Sequence, residues 1–370
     1  MKNYNDTNFI TGLRFYAVFL VFLAHSAGTG FFVSYPGLLP LYYLGKYGVD
    51  IFFVISGFTI YSQLSKKNAT LVDFLCIRFV RISSAYWPIL GVLLIYYGIF
   101  DGAALTGWFD SSGPSLAGEN IIAHFLFFGA IFPEYANNLL GVEWSLNIEI
   151  FYYLLLGFLF FHLSFNKLPK VLILLFVFFI FSVLIALFRG RLGIQDHHFL
   201  WLPFKYCYMF ALGGVSFFVR EYLSVKLIKP TQYIFSDLVI LSCFIILIVL
   251  LNFSLYTISS FLVSFIFALV SFFLLVFVKK GSVLSPLLTS SWIVFLGSFS
   301  FSFYLIHYPM SSLLNIVDLD ISSEAKLLIN FLLSSIVAYI WYVIFEKRLY
   351  NGFKRKWFAK RYRLSSFTSR

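Results

Sequence analysis

Charge is what this chain has least of. Asp, Glu, Lys and Arg make up 12% of its 370 residues, about half the share carried by soluble domains. That scarcity excludes a soluble globular enzyme, a disordered chain and a nucleic-acid-binding module, even though the net charge is +11. Cysteine is scarce too. Cys76, Cys207 and Cys243 are single and scattered, which leaves neither a disulfide framework nor a zinc site. The alternating segments of roughly 10 residues that mark an outer-membrane barrel are missing, as is the internal repeat common in transporters. No cleavable signal peptide is evident, so the first apolar stretch is expected to stay as an anchor.

What the chain has instead is apolar surface: 61% of its residues are hydrophobic and 22% aromatic, in continuous runs such as 171–188 and 261–278. A membrane-crossing helix needs about 20 such residues. Ten segments qualify, at about 10–29, 44–63, 83–101, 147–164, 170–189, 200–219, 235–252, 256–278, 291–313 and 325–346. The expected fold is therefore all-α, a polytopic integral membrane protein of about ten transmembrane helices. Between the third and fourth segments lies a long connection, 101–141, whose apolar run at 121–132 is too short to span and reads as an interfacial or re-entrant piece.

Basic residues set the orientation. With the N-terminus inside, only Lys46, Arg189, Arg191, Lys205 and Lys326 among the bases fall outside, while acids such as Asp101, Asp110, Glu119, Glu134 and Glu143 gather there. Both termini are then cytoplasmic. Residues 1–350 read as one transmembrane domain and 351–370 as a basic cytoplasmic tail. In that tail Phe353, Trp357, Phe358 and Tyr362 are interleaved with bases, a pattern suited to anionic membrane lipids and not to nucleic acid.

Ionisable residues inside spans are functional candidates, because each costs a few kcal/mol or more to insert. Arg14 and His25 are separated by ten residues in the first span, so they share one helix face about 16 Å apart. Asp50 opens the second span, and the inner loop after it holds Arg78 and Arg81, spaced to grip phosphates bidentately. Trp144, Ser145 and Glu149 begin the fourth span; Tyr304 and His307 share a face of the ninth. This orientation places His25, Asp50, Glu149 and His307 in the outer half, and Arg14, Arg78 and Arg81 on the inner side. Histidine with carboxylate is the equipment of general acid–base catalysis or of a proton relay. Plainer roles exist: Arg14 as a snorkelling anchor, Arg78 and Arg81 as topology signals, Glu143, His124 and His162 as interfacial residues. His197 and His198 have only Asp196 beside them, so no metal is expected.

In this order the motifs resemble the membrane-bound acyltransferase-3 family. The resemblance rests on Arg14 with His25, Gly48-Val49-Asp50 followed by Phe52 to Phe58, Arg78 with Arg81, Trp144-Ser145-Leu146 with Glu149 and Phe151-Tyr152, Ser300 to Tyr304 with His307, and Glu346 near the end of the last span. It implies a ten-helix core that moves an acyl group, usually acetyl, from cytosolic acyl-CoA to a sugar hydroxyl outside. The implied catalytic residues are His25, Glu149 and Asp50, and the implied acyl-donor contacts are Arg14, Arg78 and Arg81. Tyr304, His307, Trp144 and Ser145 would support them, with acetyl-CoA as donor and no metal. The implied acceptor is a surface polysaccharide or lipid-linked glycan, such as lipopolysaccharide O-antigen, at the bacterial inner membrane. Two departures stand out: the stretch after Arg81 reads Ile-Ser-Ser-Ala-Tyr-Trp-Pro, and Glu346 is followed by Lys-Arg-Leu-Tyr where a proline is usual. Direct transfer and an acyl-His25 intermediate both fit. So does another class of function, a proton-coupled transporter or flippase of a lipid-linked glycan, in which the same residues would relay protons.

Overall fold

Long apolar segments can satisfy their backbone hydrogen bonds in hydrocarbon only as helices or closed barrels, and this chain takes the first route. The computed structural model describes residues 7–33, 39–67, 69–99, 116–194, 199, 201–225, 237–238, 241–242, 245, 260–278, 282, 284–317 and 320–368, and contains no strand among them. The His197–His198 pair, Asp101, Asp110, most of the span expected at 235–252, and Lys226, Lys229, Lys279 and Lys280 lie outside the described residues.

In chain order the helices are α1 (Asn8–Gly28), α2 (Leu39–Gly45), α3 (Gly48–Leu64), α4 (Leu71–Ile99), α5 (Gly118–Leu126), α6 (Trp144–His162), α7 (Leu168–Phe188), α8 (Cys207–Val225), α9 (Ser260–Phe277), α10 (Ser285–Thr289), α11 (Ser291–Ser298), α12 (Ser300–Val317), α13 (Ser323–Trp341) and α14 (Arg348–Thr368). Local chemistry sets several boundaries. A proline sits in the first turn of α7, where its missing N–H costs nothing, and the Ser322 hydroxyl caps α13 by accepting from the Ala325 N–H at 3.2 Å. Six helices among the described residues are long and apolar enough to cross a membrane, or seven if α11 and α12, bent by 67° at their junction, form one broken span.

The bundle is organised around α3, which packs against α1, α6, α8 and α9 and is buried along most of its length. Its approach to α8 depends on paired glycines. A Cβ at Gly57 would collide with the Phe210 carbonyl, and one at Gly213 with the Val54 carbonyl. Small residues that let backbones touch are a standard means of helix association where no hydrophobic force acts between helices.

Three expectations need correction. Arg78 and Arg81 are not in a loop: α4 starts at Leu71, so both are helical. Aromatic rings and acids receive their side chains, which removes the need to reach water. The last span does not end at 346 but passes through a π-helical turn, Tyr342–Lys347, into α14, so the tail is helical. His124 is not interfacial. It is 2% exposed, with Nε2 3.2 Å from Glu143 Oε1. His162, by contrast, is exposed.

Glu143 explains how the 121–132 run is held. That run forms α5 and a 3-10 turn, Phe128–Ala130, and Glu143 closes the connection behind it. Its Oε1 accepts from the Leu139 and Leu140 N–H groups at 2.8 and 3.0 Å, and its Oε2 from that of Val142 at 2.9 Å. Burial alone would raise this carboxyl, but the hydrogen bond and charge of His124, with the two N–H donors, outweigh it and hold the group below its usual range.

The glycine contact gives a direct test. Gly213→Leu is expected to destabilise the bundle by about 1–3 kcal/mol through overpacking, seen as a lower melting temperature of the detergent-solubilised protein. Gly98→Leu, where nothing lies within 4 Å of an added Cβ, is expected to leave it unchanged. Equal melting temperatures for the two variants would contradict backbone contact between α3 and α8.

Candidate active site

A cavity enclosing about 460 Å³ opens between α1, α3, α6 and α12. Among its lining residues are Arg14, Ser56, Ser145, Glu149 and Tyr304. Glu149 Oε1 accepts from Ser56 Oγ at 2.7 Å and from the Tyr153 hydroxyl, one helical turn on. Arg14, half-buried, lies within the field of the Glu149 and Glu346 carboxylates and of Arg81. Its Nε has no hydrogen-bond partner.

The other two predicted arginines extend this cluster. Arg78 is 2% exposed, and its guanidinium carbon sits 5.8 Å from the Phe74 ring centroid and 5.1 Å from that of Tyr153. Cation–π contact stabilises the charge but leaves Nε and Nη2 without hydrogen-bond partners. Arg81 lies in the field of the Glu346 and Glu149 carboxylates. Glu346, in the π turn, is turned inward and accepts from Ser302 Oγ at 2.7 Å. Single π turns of this kind often mark functional positions. Buried N–H groups without acceptors are costly; Arg14, in the field of Arg81, and Arg78 both carry them, an arrangement that can receive an anion.

A second cluster joins α1 to α12. His307 Nδ1 lies 3.1 Å from the Phe303 carbonyl. A carbonyl can only accept, so Nδ1 carries the proton, and in neutral His307 Nε2 is then an acceptor. His25 Nδ1 lies 2.8 Å from that Nε2 and must donate to it. In the neutral pair, the lone pair of His25 is thereby assigned to Nε2. The rings lie 5.1 Å apart at 9°. A polar network braces them: Ser311 Oγ donates to the His307 carbonyl at 2.8 Å, and Asn330 Nδ2 reaches Ser311 Oγ at 2.7 Å and Ser26 Oγ at 3.2 Å. Tyr304, one turn before His307, links this cluster to the cavity. Its hydroxyl lies 2.9 Å from both Ser145 Oγ and the Val142 carbonyl.

The predicted residues thus fall into groups. Arg14, Glu149, Ser145 and Tyr304 line one cavity, with Arg78 and Arg81 beside it, and His25 pairs with His307. Trp144 packs edge-on to Phe53 and against Tyr206, at 6.2 and 5.8 Å, outside the cavity lining. Asp50, 4% exposed, also lies outside it, in the field of Lys205 and Lys46, and its Oδ2 has no hydrogen-bond partner. His25 Nδ1 meets His307 Nε2, while Glu149 accepts from Ser56 and Tyr153. Tyr153, Ser56 and the Ser302–Glu346 pair were not singled out for these contacts. The i, i+4 spacing of Glu149 and Tyr153 was the available signal for one of them; the others join distant segments. Among the described residues no group of three or more His, Cys, Asp or Glu side chains is placed to hold a metal.

Part of the chain is similar to the exopolysaccharide production protein ExoZ of Rhizobium meliloti (strain 1021), with 33% identity over 112 residues, which are 30% of this chain and 32% of that protein. The match therefore spans about a third of that relative's length. No solved structure matches the chain. The acyltransferase-3 pattern, described as an acyltransferase domain, runs through residues 7–347, nearly the whole bundle containing the arginine cavity and the imidazole pair, and the chain belongs to that family.

Proposed function

We propose that this protein is an O-acyltransferase that moves an acetyl group from acetyl-CoA on the cytosolic side to a hydroxyl of a surface polysaccharide, such as lipopolysaccharide O-antigen, on the other. In this reading residues 1–350 form one domain of ten spans in a bacterial inner membrane. Both termini are cytoplasmic, and 351–370 is a basic tail. Family membership supports acyl transfer, and the partial similarity to an exopolysaccharide production protein supports a polysaccharide acceptor.

One observation carries the chemistry: the hydrogen-bonded series from the Phe303 carbonyl through His307 to His25, which leaves the His25 Nε2 lone pair to act as a base. Nε2 takes the proton from the acceptor hydroxyl as its oxygen attacks the thioester carbon. The acyl–oxygen bond forms, the acyl–sulfur bond breaks, and the departing thiolate takes the proton from His25. His307 keeps the ring in the required tautomer and accepts part of the developing positive charge through the shared hydrogen bond. Arg78 and Arg81 meet the phosphates of the donor from the cytosolic side, and Arg14 lies between them and the cavity. Glu149, held by Ser56 and Tyr153, keeps Arg14 in place. Asp50, in the first turn of α3, supports the outer end of the site.

Three expected outcomes follow, read as initial rates with labelled acetyl-CoA in membranes. His25→Ala is expected to lose about 10²–10⁴-fold in kcat, the range for a removed general base. His307→Leu is expected to lower kcat while leaving the donor KM within about twofold, because it acts on the base and not on donor binding. Near-normal rates for His25→Ala would rule out this mechanism. Arg78→Ala, in protein that elutes as wild type, is expected to raise the donor KM by about 10–100-fold, the equivalent of a lost charge-assisted hydrogen bond. An unchanged donor KM would remove Arg78 from the donor site.

A further inference from the structure

Three oxygen atoms at the Tyr304 end of the cavity share two protons. The Tyr304 hydroxyl lies 2.9 Å from both the Val142 carbonyl and Ser145 Oγ, and Ser145 Oγ lies 3.3 Å from the same carbonyl. A carbonyl can only accept, and the shorter contact gives it the Tyr304 proton. The Ser145 proton then has two acceptors within reach, the Tyr304 oxygen and the second lone pair of the carbonyl, and neither depends on it. It can turn to a ligand oxygen without leaving a buried group unpaired, which is the costly outcome for a hydrogen bond in an apolar interior.

The surroundings say which oxygen. Ser145 is buried and lines the cavity, so a ligand meets it inside the bundle. Val49, Phe52, Phe53 and Leu146 belong to the same lining, an apolar wall suited to a short hydrocarbon group. The Phe52 ring meets the Tyr304 ring edge-on at 6.1 Å. Tyr304 lies 5.8 Å, between ring centroids, from His307, the imidazole that hydrogen-bonds to His25. One tyrosine therefore touches the Ser145 hydroxyl with its oxygen and the base pair with its ring. An uncharged, polarisable carbonyl with a small apolar substituent fits this mixture of one hydroxyl donor and an apolar wall.

We infer that Ser145 is a catalytic residue whose hydroxyl donates to the thioester carbonyl oxygen as acyl transfer proceeds, an assignment that rests on the acyl-transfer reading above. When the acceptor oxygen attacks the carbonyl carbon, the electron pair of the C=O π bond moves onto the carbonyl oxygen. The Ser145 hydrogen bond strengthens as that oxygen becomes negative, and so lowers the barrier. The pair then returns, the acyl–sulfur bond breaks, and the thiolate takes the proton that His25 removed from the acceptor. Ser145 keeps its own proton throughout. Tyr304 is a positioning residue: by serving the Val142 carbonyl, it leaves the Ser145 proton available.

The test uses the full chain in membranes that contain the acceptor glycan, with labelled acetyl-CoA as the probe, and the melting temperature of the same protein in detergent. Ser145→Ala is expected to lower kcat by about 10²–10³-fold, the cost of one lost oxyanion donor. Its donor KM is expected to stay within about threefold, and its melting temperature to match wild type, because Tyr304 still serves Val142. Ser145→Thr, which keeps a hydroxyl, is expected to recover most of the rate. Tyr304→Phe is expected to lower kcat by about tenfold or more, since the Val142 carbonyl then takes the Ser145 proton, yet to add less than about twofold when Ser145 is already Ala. A purely structural role for either hydroxyl would not give that non-additivity. The inference is overturned by a Ser145→Ala kcat within about threefold of wild type, by a loss that appears only in the donor KM, by a Ser145→Thr protein that melts as wild type yet is as slow as Ser145→Ala, or by independent effects of the two substitutions. Each of those results leaves acyl transfer by the wild type intact. Wild-type protein that binds acetyl-CoA and transfers no label would instead contradict the acyl-transfer reading, and this assignment with it.

Discussion

A charge enclosed by apolar helices costs several kcal/mol unless other groups meet it, and this constraint separates the residues that hold the bundle together from those left for a ligand. Glu143 is met on both oxygens by backbone N–H groups and by His124, and so reads as a structural staple. Glu149 and Glu346 each have a serine donor. Arg14 and Arg78 are different. Each keeps buried nitrogen atoms without a hydrogen-bond partner, although acids and aromatic rings surround them. Among the described basic side chains these two are the ones with such buried nitrogen atoms, and that supports the proposed donor site.

The histidines solve the same problem without charge. Imidazoles that donate in series to a backbone carbonyl need no carboxylate to be stable in an apolar interior, and the series fixes which nitrogen keeps its lone pair. This arrangement depends on α1, which carries both Arg14 and His25 on one face. Tyr304 closes the distance between the two clusters, touching the cavity wall at Ser145 and the His307 ring at 5.8 Å between centroids. Glycine contacts between α3 and α8 and the Asn330 network between α1, α12 and α13 make the frame around them rigid.

Much of this was legible in the sequence, because an ionisable residue stands out in a chain with 12% charged residues. Arg14, His25, Asp50, Arg78, Arg81, Glu149, Tyr304 and His307 could all be found that way, and so could the helical class. Pairings between segments distant in sequence could not. Nothing in the local pattern tells that His25 meets His307 across 282 positions, or that Ser56 meets Glu149 across 93. Helix ends differ from the sequence pattern where side chains meet partners that composition does not reveal. Arg78 and Arg81 looked like loop residues because charge usually ends a span, yet Phe74, Tyr153 and Glu346 receive them inside α4 and beside it.

The central claim is that one helical bundle takes a donor from one side of the membrane and acylates a hydroxyl on the other. The most direct measurement seals labelled acetyl-CoA inside liposomes that carry the protein with its basic tail inward, and supplies glycan acceptor only outside. The account predicts label on the external acceptor while the liposomes remain sealed to acetyl-CoA. Label that appears only on acceptor enclosed with the donor would contradict it.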